Sequence, residues 1–219
     1  MKNEHEEIEV FTVADVEVIE KTSPFQGYFR VDKYRFRHRL HGGGMGAEIS
    51  REIFERGHAA NCLLYDADLD LLVFIEQFRP GAYAAITSPW FEGNTSPWLI
   101  EVVAGIIDEG ESPEEVVRRE AVEEANCEIL SIEPVCHYLV TPGGSSESVF
   151  VFCGQVDASN AGGVHGLKEE GEDIRVFTMT PNEAFSALDE GRINNSMTLI
   201  PLYWFRQNHV RLQAKWRRE

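Results

Sequence analysis

Apolar and polar positions alternate over residues 10–20 (VFTVADVEVIE), 28–40 (YFRVDKYRFRHRL) and 47–55 (AEISREIFE). A period of two is the signature of a half-buried strand, so these stretches predict three antiparallel strands. Between the second and third lies HGGGMG, whose glycines permit the positive φ angles of a tight connection. The three strands would form a small β unit with a flat face to be covered, a second subunit being one candidate. Further strands are predicted over 58–65 and 71–79 around the turn DADLD, over 98–104 (WLIEVVA), near 132–140 and 147–156, and over DIRVFTM at 173–179. A glycine-rich loop precedes the last of these.

Helix signals are local and chemical. Ser112-Pro113-Glu114-Glu115 offers a capping serine, a proline suited to the first helical position and a glutamate that completes a capping box. Val116, Val117, Ala121 and Ala125 carry that helix to Asn126, a residue that tolerates the left-handed turn of a helix end. Thr180-Pro181-Asn182-Glu183 starts a second helix that stops at Gly191. A third spans roughly 198–215, with Pro201 tolerable in its first turn. Strands interleaved with a few helices predict an α/β or α+β sandwich. Thr-Ser-Pro-Trp occurs at 87–90 and again at 95–98. The stretch 86–93 therefore looks like an inserted loop turn, a candidate for lining an active-site mouth or a dimer contact.

Composition narrows the function classes. The 219 residues are 43% hydrophobic and 26% charged, enough for one large core and a smaller unit. A net charge of −17 argues against nucleic-acid and anionic-membrane partners. An acidic protein that handles phosphates needs local positive charge, from a few arginines or a metal. MKNEHEEIEV lacks the pattern of a signal peptide and no 18-residue apolar run occurs, so a cytoplasmic protein is expected. Cys62, Cys127, Cys136 and Cys153 lack metal-site spacing and are read as reduced thiols.

The densest chemistry lies between Gly105 and Cys127, where eight carboxylates accompany two arginines. At 100° per residue, Glu120 and Glu124 share one helix face with Glu123 beside them. Such a run is ordinarily a solvated acidic face. Oxygen ligands on one face, however, suit a hard cation such as Mg²⁺ or Mn²⁺ rather than zinc.

The full spacing, Gly105, Glu111, Arg119-Glu120-Ala121, Glu123-Glu124, then Asn126-Cys127, resembles the Nudix box G-x5-E-x7-R-E-U-x-E-E-x-G-U, where U is aliphatic. Asn126 and Cys127 depart from it, both beyond the carboxylates. Pro142 in TPGGSSE, together with FERGHAA, EVVAG and HGLKEEGEDIRV, is similar to segments of the bacterial ADP-ribose pyrophosphatases of that family. The resemblance implies an α/β/α sandwich with a mixed β-sheet over 56–219, and an N-terminal antiparallel unit over 1–55 that builds a homodimer. It further implies Mg-dependent (or Mn-dependent) hydrolysis of ADP-ribose to AMP and ribose 5-phosphate. By the same resemblance Glu120, Glu124, Glu123, Glu172 and the Ala104 carbonyl are metal ligands, Arg119 is their counter-charge, with Glu111, and Glu170 is the general base. Tyr28, Phe29, Arg51 and Glu52 would hold adenine, the last two from the partner subunit. Arg56 and Arg79 would contact phosphate, Ile106 the substrate, and Thr141 and Glu147 the terminal ribose. The alternatives are another nucleotide sugar, ADP-glucose or GDP-mannose, and a sensor that binds ADP-ribose without turnover. A metal-binding structural protein would leave the arginines unexplained. HGGG lacks a G-x-S-x-G partner, and DADLD lacks the glycine of a calcium loop.

Overall fold

The computed structural model describes residues 10–91, 95–167 and 171–218. Its contacts divide the chain into two compact units, Met1–Arg56 with Thr141–Glu147, and Gly57–Val140 with Ser148–Glu219.

The first unit is an antiparallel sheet in the order β1 (Val16–Gln26), β2 (Arg30–His38), β3 (Ile49–Glu55). The first strand begins later than its alternation predicts. Thr12 Oγ1 accepts from the Ala14 N–H while Asp15 accepts from the Thr12 N–H at 2.8 Å, closing a 3-10 turn over Val13–Asp15. Every residue of β1 is exposed, which corrects the expectation of a half-buried strand. Asp32 on β2 is fully buried and is held by Ser23 at 2.7 Å, Lys21 at 2.9 Å and Arg30 at 2.8 Å. Donation from Ser23 and Lys21 holds its carboxyl down to about 2. The excursion Thr141–Glu147 lies along β3, where the Phe54 N–H donates to the Gly144 carbonyl at 2.8 Å and Ser145 Oγ to the Phe54 carbonyl at 3.2 Å.

The second unit is built on a mixed sheet in the order β10 (Gly163–His165), β11 (Ile174–Met179), β5 (Leu71–Phe78), β4 (Ala59–Asp66), β9 (Ser148–Gln155), β8 (Ser131–Leu139). β4 and β9 run parallel and the other neighbours on that path antiparallel. The predicted strand 98–104 is two strands. β6 (Trp98–Glu101) pairs with β5, and β7 (Val103–Ile106) with β4. The break falls at Val102, whose N–H donates to Thr198 Oγ1 at 3.3 Å instead of to a neighbouring strand. A short helix not anticipated from sequence, α1 (Pro80–Ile86), precedes the first Thr-Ser-Pro-Trp.

One sheet face is covered by α2 (Pro113–Ala125), whose Val116, Val117, Ala121 and Ala125 pack on Ala60, Cys62, Leu64, Val73 and Ile75. The other is covered by α3 (Pro181–Asp189) and α4 (Ser196–Trp216), whose Ala184, Leu188, Leu202, Phe205 and Leu212 meet Leu63, Tyr65, Leu72 and Phe74. Each such aliphatic or aromatic side chain removed from water contributes roughly 1.5–3 kcal/mol. The result is the α/β/α sandwich.

α2 is fastened at both ends. Glu115 accepts from the Ser112 N–H at 2.8 Å, Ser112 Oγ accepts from the Glu115 N–H at 3.3 Å, and Asn126 closes the helix at φ 51°, ψ 37°. A left-handed residue with a Cβ costs about 1–2 kcal/mol, less for asparagine. Asn126→Gly is therefore expected to be neutral to mildly stabilising, by up to about 1 kcal/mol. A clear drop in melting temperature would contradict this account of the turn.

Candidate active site

The capping box sets where α2 starts, and its 3.6-residue turn then brings Glu120 and Glu124 to one face. That face lies over β7. The Ala104 N–H donates to Glu124 Oε2 at 2.9 Å, and Gln77 Nε2 on β5 donates to Glu124 Oε1 at 3.4 Å. Glu120 lies against Gly105, so closely that a Cβ at that glycine would fall 1.9 Å from Glu120 Oε1. Gly105 is required for space. The glycine of the motif therefore seats a carboxylate.

Arg119 gathers the remaining acids. Its Nη1 donates to Glu120 at 2.7 Å and Glu123 at 3.1 Å, and its Nε and Nη2 reach Glu111 at 3.2 and 3.3 Å. Glu111 also accepts from the Asp108 N–H at 3.3 Å, which ties the preceding loop to the helix. The guanidinium is held firmly protonated by Glu111 first and by Glu120 and Glu123 besides.

Glu124 is 3% exposed, and among the described residues its carboxylate has only neutral donors in contact. Burial pushes Glu124 up to about 8, with further repulsion from Glu120 and Glu172. Burial pushes Glu120 up to about 7, opposed by Arg119 and assisted by Glu123 and Glu172. The three carboxylates thus lie within electrostatic reach of one another. Glu172 is held at the foot of its loop, accepting from the Leu167 N–H at 2.9 Å. Gly166 at φ 100° leaves it room, since a Cβ there would lie 2.7 Å from that of Glu172.

The buried Glu124 and the half-buried Glu120 offer oxygen donors of the kind that suit a hard divalent ion. Among the described residues, however, no three His, Cys, Asp or Glu side chains are gathered tightly enough to hold one. Each acid instead engages a protein donor: Glu124 the Ala104 amide, Glu120 the Arg119 guanidinium and Glu172 the Leu167 amide. Glu170 lies outside the described residues.

These shifts carry a sign. Both carboxyls bind protons more tightly when folded than at their ordinary value of 4.5, so their contribution to stability is full below pH 4.5 and is lost as pH rises through 7 and 8. Each unit of difference is about 1.4 kcal/mol. The metal-free protein is expected to melt at lower temperature at pH 8 than at pH 5.5, and added Mg²⁺ to recover more at pH 8. Asp32 and Glu133, both held at about 2, have completed their contribution below this window. Equal melting temperatures at the two pH values in EDTA would refute the burial of charge described above.

The remaining expected residues fall into two groups. Arg79 is in the second unit, its Nε donating to Glu101 Oε2 at 2.8 Å, and Ile106 pairs with Ala59 across β7 and β4. In the first unit Tyr28 and Phe29 meet edge to face at 4.9 Å, Phe29 meets Phe54 at 4.9 Å, and the Arg56 guanidinium lies 5.8 Å from the Phe29 ring. Tyr28 is 87% exposed, as a surface offered to a ligand would be. Glu147 is buried with a carboxylate oxygen 3.5 Å from Arg56 Nε, and the Thr141 carbonyl accepts from the Gly144 and Ser145 amides. Arg51 and Glu52 are exposed neighbours on β3, where Arg51 Nη1 donates to the Ser50 carbonyl. Sequence reasoning missed Gln77 and Glu101. Glu101 is the single polar residue of β6 and Gln77 follows Glu76 in β5, and only the pairing of β5 with β6 gives them meaning.

Comparison with known proteins agrees with this geometry. The NUDIX domain description matches residues 55–199. An ADP-ribose pyrophosphatase of Escherichia coli (strain K12) is 46% identical over 202 residues, covering 92% of this chain and 93% of the relative. An ADP-ribose pyrophosphatase of Haemophilus influenzae is 35% identical over 212 residues, covering 97% and 95%. A GDP-mannose pyrophosphatase of Pectobacterium atrosepticum is 33% identical over 190 residues, covering 85% and 92%. A crystal structure of an ADP compounds hydrolase superposes at TM-score 0.67 with 15% identity over 93% of this chain, a likeness of fold. With its glycine seating Glu120, its arginine gathering three acids and this span of similarity, the chain belongs to the Nudix family.

Proposed function

We propose that the chain hydrolyses the diphosphate bond of ADP-ribose to AMP and ribose 5-phosphate, using Mg²⁺ or Mn²⁺. The observation that carries this reading is the buried Glu124 beside the half-buried Glu120 on one helix face, a repelling pair of carboxylates that a divalent cation would neutralise. The similarity to two ADP-ribose pyrophosphatases along more than nine tenths of the chain supports the substrate. Bound at these carboxylates, a divalent cation withdraws charge from phosphoryl oxygens and acidifies water. Glu120, Glu124 and Glu172 would hold it, with Glu123 and the Ala104 carbonyl in reach of the same face. Arg119 fixes Glu120 and favours its ionised form against burial. Arg79 and Arg56 would bind phosphate oxygens through paired N–H groups, and Glu170 would take the proton of the attacking water. Tyr28 and Phe29 offer exposed ring faces to adenine, and Arg51 and Glu52 of a partner subunit would complete that site. Ile106, Thr141 and Glu147 would border the substrate, the last two at its terminal ribose.

A homodimer is the assembly we infer, because β1 exposes Val16, Val18, Ile19 and Phe25 along its whole length. Four free cysteines, three of them buried, suit a reducing compartment such as the cytoplasm. The test is AMP release from ADP-ribose with and without Mg²⁺, with molar mass by light scattering alongside. Metal-dependent AMP is the expected result. Turnover of GDP-mannose or ADP-glucose in preference would transfer the reading to that sugar, and ADP-ribose binding without product would make the protein a sensor.

A further inference from the structure

β5 and β6 place three polar side chains on one sheet face. Ile75 stands opposite Glu101 and Gln77 opposite Leu99, so Gln77, Arg79 and Glu101 project to the side of Ile75. That side is the one under α2. Arg79 Nε donates to Glu101 Oε2 at 2.8 Å, and Gln77 Nε2 donates to Glu124 Oε1 at 3.4 Å. Gln77 and Glu101 are diagonal neighbours on that face, Gln77 standing opposite Leu99 and Glu101 opposite Ile75. A carboxylate only accepts, and the amide NH₂ is the only side-chain donor a glutamine has, so the group that donates to Glu124 is also the one Gln77 can offer to Glu101. Glu101 is 8% exposed and Gln77 7%. A carboxylate is costly to bury unless it is paired. Here the pair is Arg79, whose side chain remains 41% exposed. With Nε committed to Glu101, the Nη edge is the part left to face a ligand.

We propose that Glu101 and Gln77 are positioning residues that join the phosphate clamp to the cation site, Glu101 aiming Arg79 at the substrate diphosphate and the Gln77 amide tying Glu101 to Glu124. This rests on the reading of Glu124 as a cation ligand and Arg79 as a phosphate contact. Neither residue touches the reacting atoms. Their consequence is that a diphosphate drawing on Arg79 and a cation drawing on Glu124 act on one hydrogen-bonded unit.

The experiment uses Glu101→Gln, Gln77→Leu, Arg79→Ala and the double variant of Glu101→Gln with Arg79→Ala, each checked by melting. Loss of a partner behind a metal ligand costs about 10–100-fold in affinity. Gln77→Leu is therefore expected to weaken Mn²⁺ binding to the substrate-free protein by about tenfold or more, read by electron paramagnetic resonance. Glu101→Gln is expected to raise KM by about tenfold with kcat moved less, and the double variant to be no worse than Arg79→Ala alone. If Glu101→Gln does not fold, Glu101→Asp takes its place, with a smaller rise in KM. Unchanged Mn²⁺ affinity in Gln77→Leu, or a Glu101→Gln penalty that adds in full to that of Arg79→Ala, would overturn the proposal. So would variants that lower only the melting temperature. Wild type that releases no AMP from ADP-ribose overturns the substrate reading alone: the Mn²⁺ titration still decides Gln77, and the KM comparison moves to whichever nucleotide sugar turns over.

Discussion

Glu124→Gln is expected to abolish metal-dependent AMP release while making the metal-free protein harder to melt at pH 8. The two effects share a cause. Glu124 is a buried acid whose contacts are neutral donors, so ionising it costs folding free energy that an uncharged amide of the same shape does not. A divalent cation needs that charge. Losing it forfeits several kcal/mol of stabilisation at the phosphoryl oxygens, which at about 1.4 kcal/mol per factor of ten is roughly a 10³-fold fall in rate. Initial rates with Mg²⁺ and melting curves in EDTA on the same preparation provide the check. Activity within tenfold of wild type would remove Glu124 from the metal site, and a lower melting temperature would show that its charge is not a burden.

The second large effect comes from a single methyl group. In Gly105→Ala the new Cβ would fall 1.9 Å from Glu120 Oε1, 2.5 Å from Cδ and 2.7 Å from Cγ. Glu120 cannot simply swing aside, because Arg119 holds it at 2.7 Å and Glu123 and Glu111 hold Arg119. Overpacking of this kind costs about 1–3 kcal/mol. An ångström of misplacement in a ligand set costs on the order of 10²-fold in rate. Gly105→Ala is therefore expected to stay folded, melt earlier and lose about 10²-fold in activity. Combining it with Glu120→Ala is expected to restore the melting temperature but not the rate, since the clash disappears along with the ligand. Full activity in Gly105→Ala would show that the position of Glu120 is immaterial.

Interactions confined to one helix were legible in the chain. Ser112-Pro113-Glu114-Glu115 marked the start of α2, Asn126 its left-handed end, and the i, i+4 spacing the shared face of Glu120 and Glu124. Those carried by strand pairing were not. Glu101 and Gln77 stand 24 positions apart and meet only through the register of β5 with β6. The break at Val102 depends on Thr198, 96 positions away. α1 went unforeseen because it starts at Pro80-Gly81 without a side-chain cap to announce it. The first strand was displaced because capping by Thr12 and Asp15 outweighed alternation at residues 10–15. Burial misled similarly, since period two cannot say whether anything covers the apolar side, and along β1 nothing among the described residues does.

The route of the backbone has an evolutionary corollary. The chain leaves the first unit after Arg56, returns to it at Thr141 and departs again after Glu147. A gene fusion or deletion at the Arg56 boundary would therefore not exchange a self-contained module. It would strip the 141–147 excursion of the Phe54 and Glu55 groups that pair with it. The first sheet is thus tied to a loop 85 residues downstream, Arg56 to Thr141, and a chain without that sheet would leave the loop unpaired. Lineages that shed the N-terminal sheet are expected to carry a shortened or differently composed connection between β8 and β9.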